Sequence, residues 1–159
     1  MQHLRSPNRW SCLPTSFAMA FNMTLRDLLD EVGHDGSEIL HHGLAEPYKR
    51  RSFHPQEMID AGLRLDIAVV QIEALPIITS SYGTSKLIHD VPEAEKRIED
   101  YMRSFNGVMT GRTQPNNLPH AVYCHKGVIY DPNGQVYGSD RFWTQFFFLV
   151  IQSERRWTI

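Results

Sequence analysis

Three residues whose side chains can support covalent acyl transfer occur along the chain in the order Cys12, His120 and Asp131. A thiolate can attack a carbonyl carbon, a histidine can accept and return the proton, and a carboxylate can orient that histidine. This chemistry requires the three side chains to meet in space. We therefore ask which helix or strand the sequence around each of these residues predicts, and where that element would place the side chain.

The residues after Cys12 have the pattern of a helix. Pro14 suits the first turn of a helix, where a missing N–H group costs nothing. Apolar residues then recur at helical spacing, at Ala18, Phe21, Leu25, Leu28, Leu29 and Val32. Cys12 is thus predicted at or just before a helix N-terminus, where unpaired N–H groups and the helix dipole favour a thiolate. A buried structural cysteine is the alternative, but the preceding residues, Asn8 to Ser11, are unlike a core strand and favour function.

His120 and Asp131 flank a predicted β-hairpin. The strands are Ala121 to Cys124 and Gly127 to Tyr130, and the turn lies at residues 125–127. If the hairpin closes around residues 125 and 126, His120 lies directly opposite Asp131, with Cβ atoms about 4.5–5.5 Å apart. The alternative is that Asp131 merely opens the turn that follows at residues 131–134. The two residues together, in this register, favour a functional pair.

These motifs resemble the papain-like cysteine peptidases. The resemblance is carried by Cys-Leu-Pro-Thr-Ser-Phe-Ala-Met from Cys12, by His-Ala-Val from His120, and by Tyr-Asp-Pro-Asn-Gly ending at Gly134. The nearest branch is the leader-peptidase domains of bacteriocin exporters and their stand-alone relatives. The resemblance implies a papain-like α+β fold with a helical N-terminal half carrying the cysteine and a C-terminal antiparallel sheet carrying the histidine and aspartate. It also implies Cys12 as nucleophile, His120 as general base and acid, and Asp131 as the orienting carboxylate.

The chain departs from the family pattern near the nucleophile. Leu13 follows the cysteine, where the family usually has Gly, and Ser6 lies where the family has an oxyanion-hole Gln. Among the nearby amides, Asn8 is the predicted donor and Gln2 the less favoured one, because Asn8 is closer to Cys12 in sequence. A missing donor costs on the order of 100- to 1,000-fold in rate.

The function predicted from these residues is a cysteine-dependent hydrolase acting on a peptide, amide or isopeptide bond through a thioester acyl-enzyme. Release of the acyl group to water or to an amine would make the protein a peptidase, a deamidase or a transferase, and the triad serves all three. The predicted partner is a protein or peptide substrate, with no cofactor. The alternative is a non-catalytic binding module on the same fold, such as an inhibitor of a host protein, that uses the cleft or the basic face at 49–51.

The composition of the chain bears on its domain organisation, its location and the kinds of partner it could bind. The 159 residues carry a formal net charge of −2, which gives no general attraction to nucleic acid, and 42% are hydrophobic, as in a folded domain. We expect one domain spanning residues 1–159. Two cysteines do not make a disulfide framework, which favours a cytoplasmic location. No secretory signal is visible, and the longest apolar run, Phe146 to Ile151, is too short for insertion into a membrane.

No metal site is expected. The candidate ligands are His34, Asp35, His41, His42, Cys12, Cys124 and His125. They lack the short, paired spacing that zinc sites show. The basic run from Lys49 to Arg51 is most simply a solvated face.

The remaining patterns predict the scaffold. The predicted helices run from a Thr24 cap to Gly33, from His54 to Ala61 with Gly62 ending the helix, and from Asp90 through Tyr101 and Phe105 to a stop at Gly107. The predicted strands are 65–72, 108–110 and 144–152. The run 146–151 is apolar throughout, which indicates burial on both faces of its strand. The stretches 79–85 and 113–117 are predicted to be exposed loops.

Overall fold

The computed structural model describes residues 2–74, 77–81, 84–113 and 118–152. In this part of the chain the helices are α1 Cys12–Phe21, α2 Leu25–Val32, α3 Pro55–Arg64 and α4 Val91–Ser104, with a 3₁₀ turn at Ser139–Arg141. The strands are β1 Ile67–Glu73, β2 Ile77–Ser81, β3 Thr84–His89, β4 Asn106–Thr113, β5 Pro119–His125, β6 Val128–Tyr130, β7 Val136–Gly138 and β8 Phe142–Gln152. Within these ranges, none of the helices has both the length and the apolar character needed to cross a membrane.

Six strands form one antiparallel sheet in the order β1-β8-β4-β5-β6-β7, and β2 pairs with β3 in a separate hairpin. Helices α1 and α3 pack against the large sheet, α1 on β5 and β4, and α3 on β1. The predicted α+β class is confirmed: most helices precede the strands of this sheet, which carries His120 on β5 and Asp131 just after β6.

The sheet is buried on both faces. One apolar cluster joins α1 and Met58 of α3 to Val108, Tyr123 and Phe148. A second cluster joins α4 to the residues that alternate with these: Met109, Val122, Cys124 and Phe147. Neighbouring strand residues point to opposite faces, so Phe147 and Phe148 enter different clusters. This confirms the predicted two-sided burial of β8, although Ile151 near its end is 49% exposed.

Local signals placed the helix ends well. Thr24 caps α2 by accepting a hydrogen bond from the Asp27 N–H, and Gly33 ends the helix in a left-handed conformation. Asp90 and Glu93 form a reciprocal capping box at the start of α4. These parts of the prediction are confirmed.

Three predictions about the scaffold were wrong. Gly107 does not stop α4, which ends at Ser104; it lies in β4, where a Cβ atom would overlap the Phe148 carbonyl oxygen. Gly62 lies within α3, which continues to Arg64, because Gly62 is buried where a Cβ atom would press on the Phe21 ring and the Ile67 backbone. Close packing, not helix termination, accounts for this glycine. The stretch 79–85, predicted to be a loop, belongs largely to the β2–β3 hairpin, while residues 82 and 83 lie outside the described ranges. Residues 114–117 of the second predicted loop also lie outside them, and Thr113 ends β4.

Gly111 permits the close approach of β4 and β8 next to His120. It pairs with His120 on β5 and with Thr144 on β8, at a register shift in β4. A Cβ atom at this position would overlap the carbonyl oxygen of Trp143. We therefore expect Gly111→Ala to lower the free energy of unfolding by about 3 kcal/mol, because an added methyl in a packed sheet forces the backbone apart.

The measurement is urea unfolding of the wild type, Gly111→Ala and Gly43→Ala. A Cβ atom added at Gly43 would have no neighbouring atom within 4 Å, so this substitution should change stability by less than about 0.5 kcal/mol. Equal stability of the two variants would contradict the close approach at Gly111.

Candidate active site

Cys12 is the first residue of α1, as predicted. Its position is fixed by the helix behind it, because every residue from Leu13 to Phe21 is buried, whereas Cys12 itself is partly exposed. The Ser11 hydroxyl caps none of the described N–H groups of the helix, and Pro14 has no N–H group to cap. The N–H groups of Cys12 and Leu13 therefore remain at the helix terminus, where they can stabilise an anion.

The hairpin brings His120 and Asp131 together, but in a register that differs from the predicted one. His125 pairs with Val128, so only Lys126 and Gly127 form the turn, and both have positive φ. The predicted direct opposition of His120 and Asp131 is therefore wrong by two residues. A shift of two keeps each side chain on its own face of the sheet. The His120 Nε2 atom still lies 2.8 Å from Asp131 Oδ1, across a diagonal.

Asp131 is buried and fully hydrogen-bonded. Its Oδ1 also accepts a hydrogen bond from the Asn133 N–H at 2.7 Å, and its Oδ2 accepts one from the Tyr137 hydroxyl at 2.7 Å. Burial alone would raise the pKa of Asp131. The bonds from His120, Asn133 and Tyr137 outweigh burial and hold this pKa below its ordinary value. Sequence reasoning missed Tyr137, because its contact with Asp131 depends on how β7 folds back onto β6.

His120 is held in its charged form. Burial disfavours the imidazolium, but the hydrogen bond to Asp131 and the interactions with Cys12 outweigh burial and raise the pKa of His120 to about 9. Because Nε2 faces Asp131, Nδ1 is the ring nitrogen left for the thiol. A cation fixed beside a thiol favours the thiolate.

Cys12, His120 and Asp131 line one cleft of about 440 Å³. Asn8 lines the same cleft, whereas Gln2 is exposed and does not. Of the two candidate amides, only that of Asn8 therefore belongs to a residue that lines the cleft. The Asn8 side-chain oxygen accepts a hydrogen bond from the Trp10 N–H at 3.1 Å, which leaves its Nδ2 group to donate elsewhere.

The N-terminal segment is bound to the turn that carries Asp131. His3 Nε2 lies 2.8 Å from the Asp131 carbonyl oxygen, and the Ser6 N–H donates to the Pro132 carbonyl oxygen at 2.9 Å. The Ser6 hydroxyl then donates to the Asn8 carbonyl oxygen at 2.6 Å. Asn8 is consequently positioned by the same turn that positions the carboxylate.

The other candidate residues have structural partners. Lys49 and Arg50 pair with Glu46, and Arg51 and His34 pair with Glu57. Cys124 is buried, and burial raises the pKa of its thiol to about 11. In the described part of the chain, no group of three or more His, Cys, Asp or Glu side chains is arranged to hold a metal ion.

Comparison with known proteins gives a likeness in fold. No protein-family model and no curated protein matches the chain. Among solved structures, it is similar to the peptidase domain of Streptococcus ComA, a bi-functional ABC transporter involved in quorum sensing. The TM-score is 0.53, with 10% sequence identity, over 94% of this chain and 97% of the other. At this identity the likeness concerns the fold, and it confirms the predicted papain-like α+β architecture.

The raised pKa of His120 links stability to pH. Because its value of about 9 in the folded protein exceeds the ordinary 6.5, the protonated ring stabilises the fold. This contribution is complete below about pH 6.5 and is lost as the pH rises through 9. We expect urea unfolding to show a fall of up to about 3 kcal/mol across this window.

His120→Gln removes the titration and should flatten the profile between these pH values. The difference between the two proteins reports the titration of His120 together with its coupling to Asp131 and Cys12, because the remaining titrating groups are the same in both. Parallel profiles would contradict the coupling between His120 and Asp131.

Proposed function

We propose that this chain is a cysteine-dependent hydrolase that cleaves a peptide or other amide bond with Cys12 as nucleophile, His120 as general base and acid, and Asp131 as orienting group. The observation that carries the proposal is the convergence of these residues in one cleft. Cys12 lies there at an uncapped helix terminus, and His120 lies there with one ring nitrogen held by a buried carboxylate.

The proposed reaction starts from a thiolate and an imidazolium. The Cys12 sulfur attacks the carbonyl carbon, and the oxyanion that forms accepts hydrogen bonds from the Cys12 N–H and from Asn8 Nδ2. His120 then gives its proton to the leaving nitrogen as the C–N bond breaks, which leaves a thioester on Cys12. Neutral His120 next takes a proton from water as the water oxygen attacks the thioester carbon. The C–S bond then breaks, which releases the carboxylic acid and restores the Cys12 thiolate beside the imidazolium.

Tyr137 supports this reaction indirectly. Its hydroxyl donates to Asp131 Oδ2 at 2.7 Å, and burial together with the Asp131 charge raises the pKa of Tyr137, so it remains a donor. With Oδ2 occupied, Oδ1 faces His120. Tyr137 is thus a positioning residue for the histidine.

Selective alkylation tests the nucleophile. Because His120 stays protonated below about pH 9, a cation lies beside Cys12 through the neutral range. We expect iodoacetamide to modify Cys12 at about pH 6, while buried Cys124 stays unmodified. His120→Ala should slow this modification by roughly tenfold or more, because an opposite charge at close range favours the ionised form. Intact-mass spectrometry of protein sampled over time gives both rates.

Cys12→Ala and Cys124→Ala are the matched controls. Cys12→Ala should abolish modification and Cys124→Ala should leave its rate unchanged. Slow modification of Cys12, insensitive to His120→Ala, would contradict an activated nucleophile and favour the non-catalytic binding module.

The oxyanion donor can be tested apart from the nucleophile. Asn8→Ala should lower kcat for a fluorogenic peptide found by library screening by about 10²–10³-fold with little change in KM, because the donor acts in the transition state. The same variant should keep its iodoacetamide rate, since alkylation creates no oxyanion.

Gln2→Ala is the control and should keep its activity, because Gln2 does not line the cleft. Equal loss of hydrolysis and of alkylation in Asn8→Ala would show that Asn8 acts on the position of α1 and not on the oxyanion.

A further inference from the structure

Two arginines line the cleft without a carboxylate partner among the described residues. Arg9 and Arg141 are both exposed, and neither forms an ion pair in that part of the chain. Elsewhere, a carboxylate lies within 4.0 Å of the guanidinium groups of Arg26, Arg50, Arg51, Arg64 and Arg103. The whole chain has a formal net charge of −2, so the two cations are a local feature of the cleft.

The other charged groups in the cleft do not fully neutralise the positive charge of these two arginines. Asp131 is the one acidic residue among the described residues that line it, and it is 4% exposed and bonded to His120, Asn133 and Tyr137. Its charge is balanced by the imidazolium. With Cys12 as a thiolate, the cleft keeps an excess of one positive charge from the two arginines.

The two arginines come from segments of the chain that are far apart in sequence and that both line the cleft. Arg9 belongs to the segment just before α1, next to Asn8, and Arg141 ends the 3₁₀ turn that leads into β8. A peptide bound at Cys12 would lie in a space that both arginines line. The planar guanidinium group can bind a carboxylate through two parallel hydrogen bonds, which a neutral amide cannot match.

We infer that the substrate is an acidic peptide, with a carboxylate close to the scissile bond that binds Arg9 or Arg141. This inference rests on the proposed function, because it names the substrate class of the same site. The arginines would have a second effect. A thiolate repels an acidic substrate, and the arginines reverse the sign of that interaction.

Peptidyl vinyl sulfones test the inference without knowledge of the natural substrate. The Cys12 sulfur adds to the vinyl carbon that bears the peptide, the carbon–carbon π bond breaks, and the proton from His120 goes to the vinyl carbon beside the sulfone. One pair of tetrapeptide probes differs only in Asp against Asn before the warhead. A second pair carries 4-carboxyphenyl against phenyl on the sulfone. The first pair tests for recognition of an acidic side chain on the acyl side of the scissile bond. The second pair tests for recognition of a carboxylate on the leaving-group side, which could be an acidic side chain or the C-terminus of a peptide.

We expect at least one acidic probe to inactivate Cys12 about tenfold faster than its neutral partner, as for a charge-assisted hydrogen bond. Arg9→Gln/Arg141→Gln should remove this preference, so that each acidic probe and its neutral partner react at equal rates within that variant. Arg26→Gln/Arg103→Gln removes the same charge from other surfaces and should keep the preference. The single variants then show which arginine binds the carboxylate of each probe.

The outcomes separate the inference from the proposed function. Rapid labelling of Cys12 with equal rates for acidic and neutral probes would overturn the inference alone. A preference that survives in Arg9→Gln/Arg141→Gln would also overturn it, because another group would then bind the carboxylate. Absence of labelling by every probe would overturn the proposed function, and the inference with it.

Discussion

The site depends on one buried charge. A carboxylate removed from water costs several kcal/mol unless its oxygens are hydrogen-bonded, and removing one partner of such a group typically costs about 3–5 kcal/mol. Asp131 meets this condition with donors from β5, from the following turn and from β7. Since each donor must reach the carboxylate, the energetic need to satisfy Asp131 also fixes the orientation of the His120 ring.

The same turn also binds the segment that precedes α1, through main-chain carbonyl oxygens. The carbonyl oxygens of Asp131 and Pro132 hold His3 and the Ser6 N–H, and this places Asn8 just ahead of the helix. Cys12 is positioned independently, by a helix whose remaining residues are buried against β4 and β5. The cleft therefore forms where a rigid helix terminus meets a turn that is locked by a buried carboxylate.

The sequence was informative where local chemistry decides the structure. The helix start at Cys12, the Thr24 cap and the Asp90 capping box follow from neighbouring residues, and each was predicted correctly. The hairpin register was predicted two residues out because the two-residue turn lies at Lys126 and Gly127, which both have positive φ, and not at residues 125 and 126. The contact between His120 and Asp131 was nevertheless predicted, because a register shift of two residues leaves both side chains on the same face of the sheet. Tyr137 could not be predicted, because its contact depends on the return of β7 to the sheet.

The contributions to the His120 pKa also suggest how one residue could serve the proposed reaction as acid and then as base. An imidazolium with a pKa of about 9 is a weaker acid than an ordinary histidine, which would slow transfer of its proton to a leaving nitrogen. Part of that rise comes from Cys12, through its hydrogen bond and its charge. Both contributions disappear when the sulfur is bonded to an acyl carbon, so the pKa of His120 would fall as the thioester forms. The histidine would then release its proton to the leaving group and remain neutral, as the base that activates water, while Asp131 keeps the ring in place throughout.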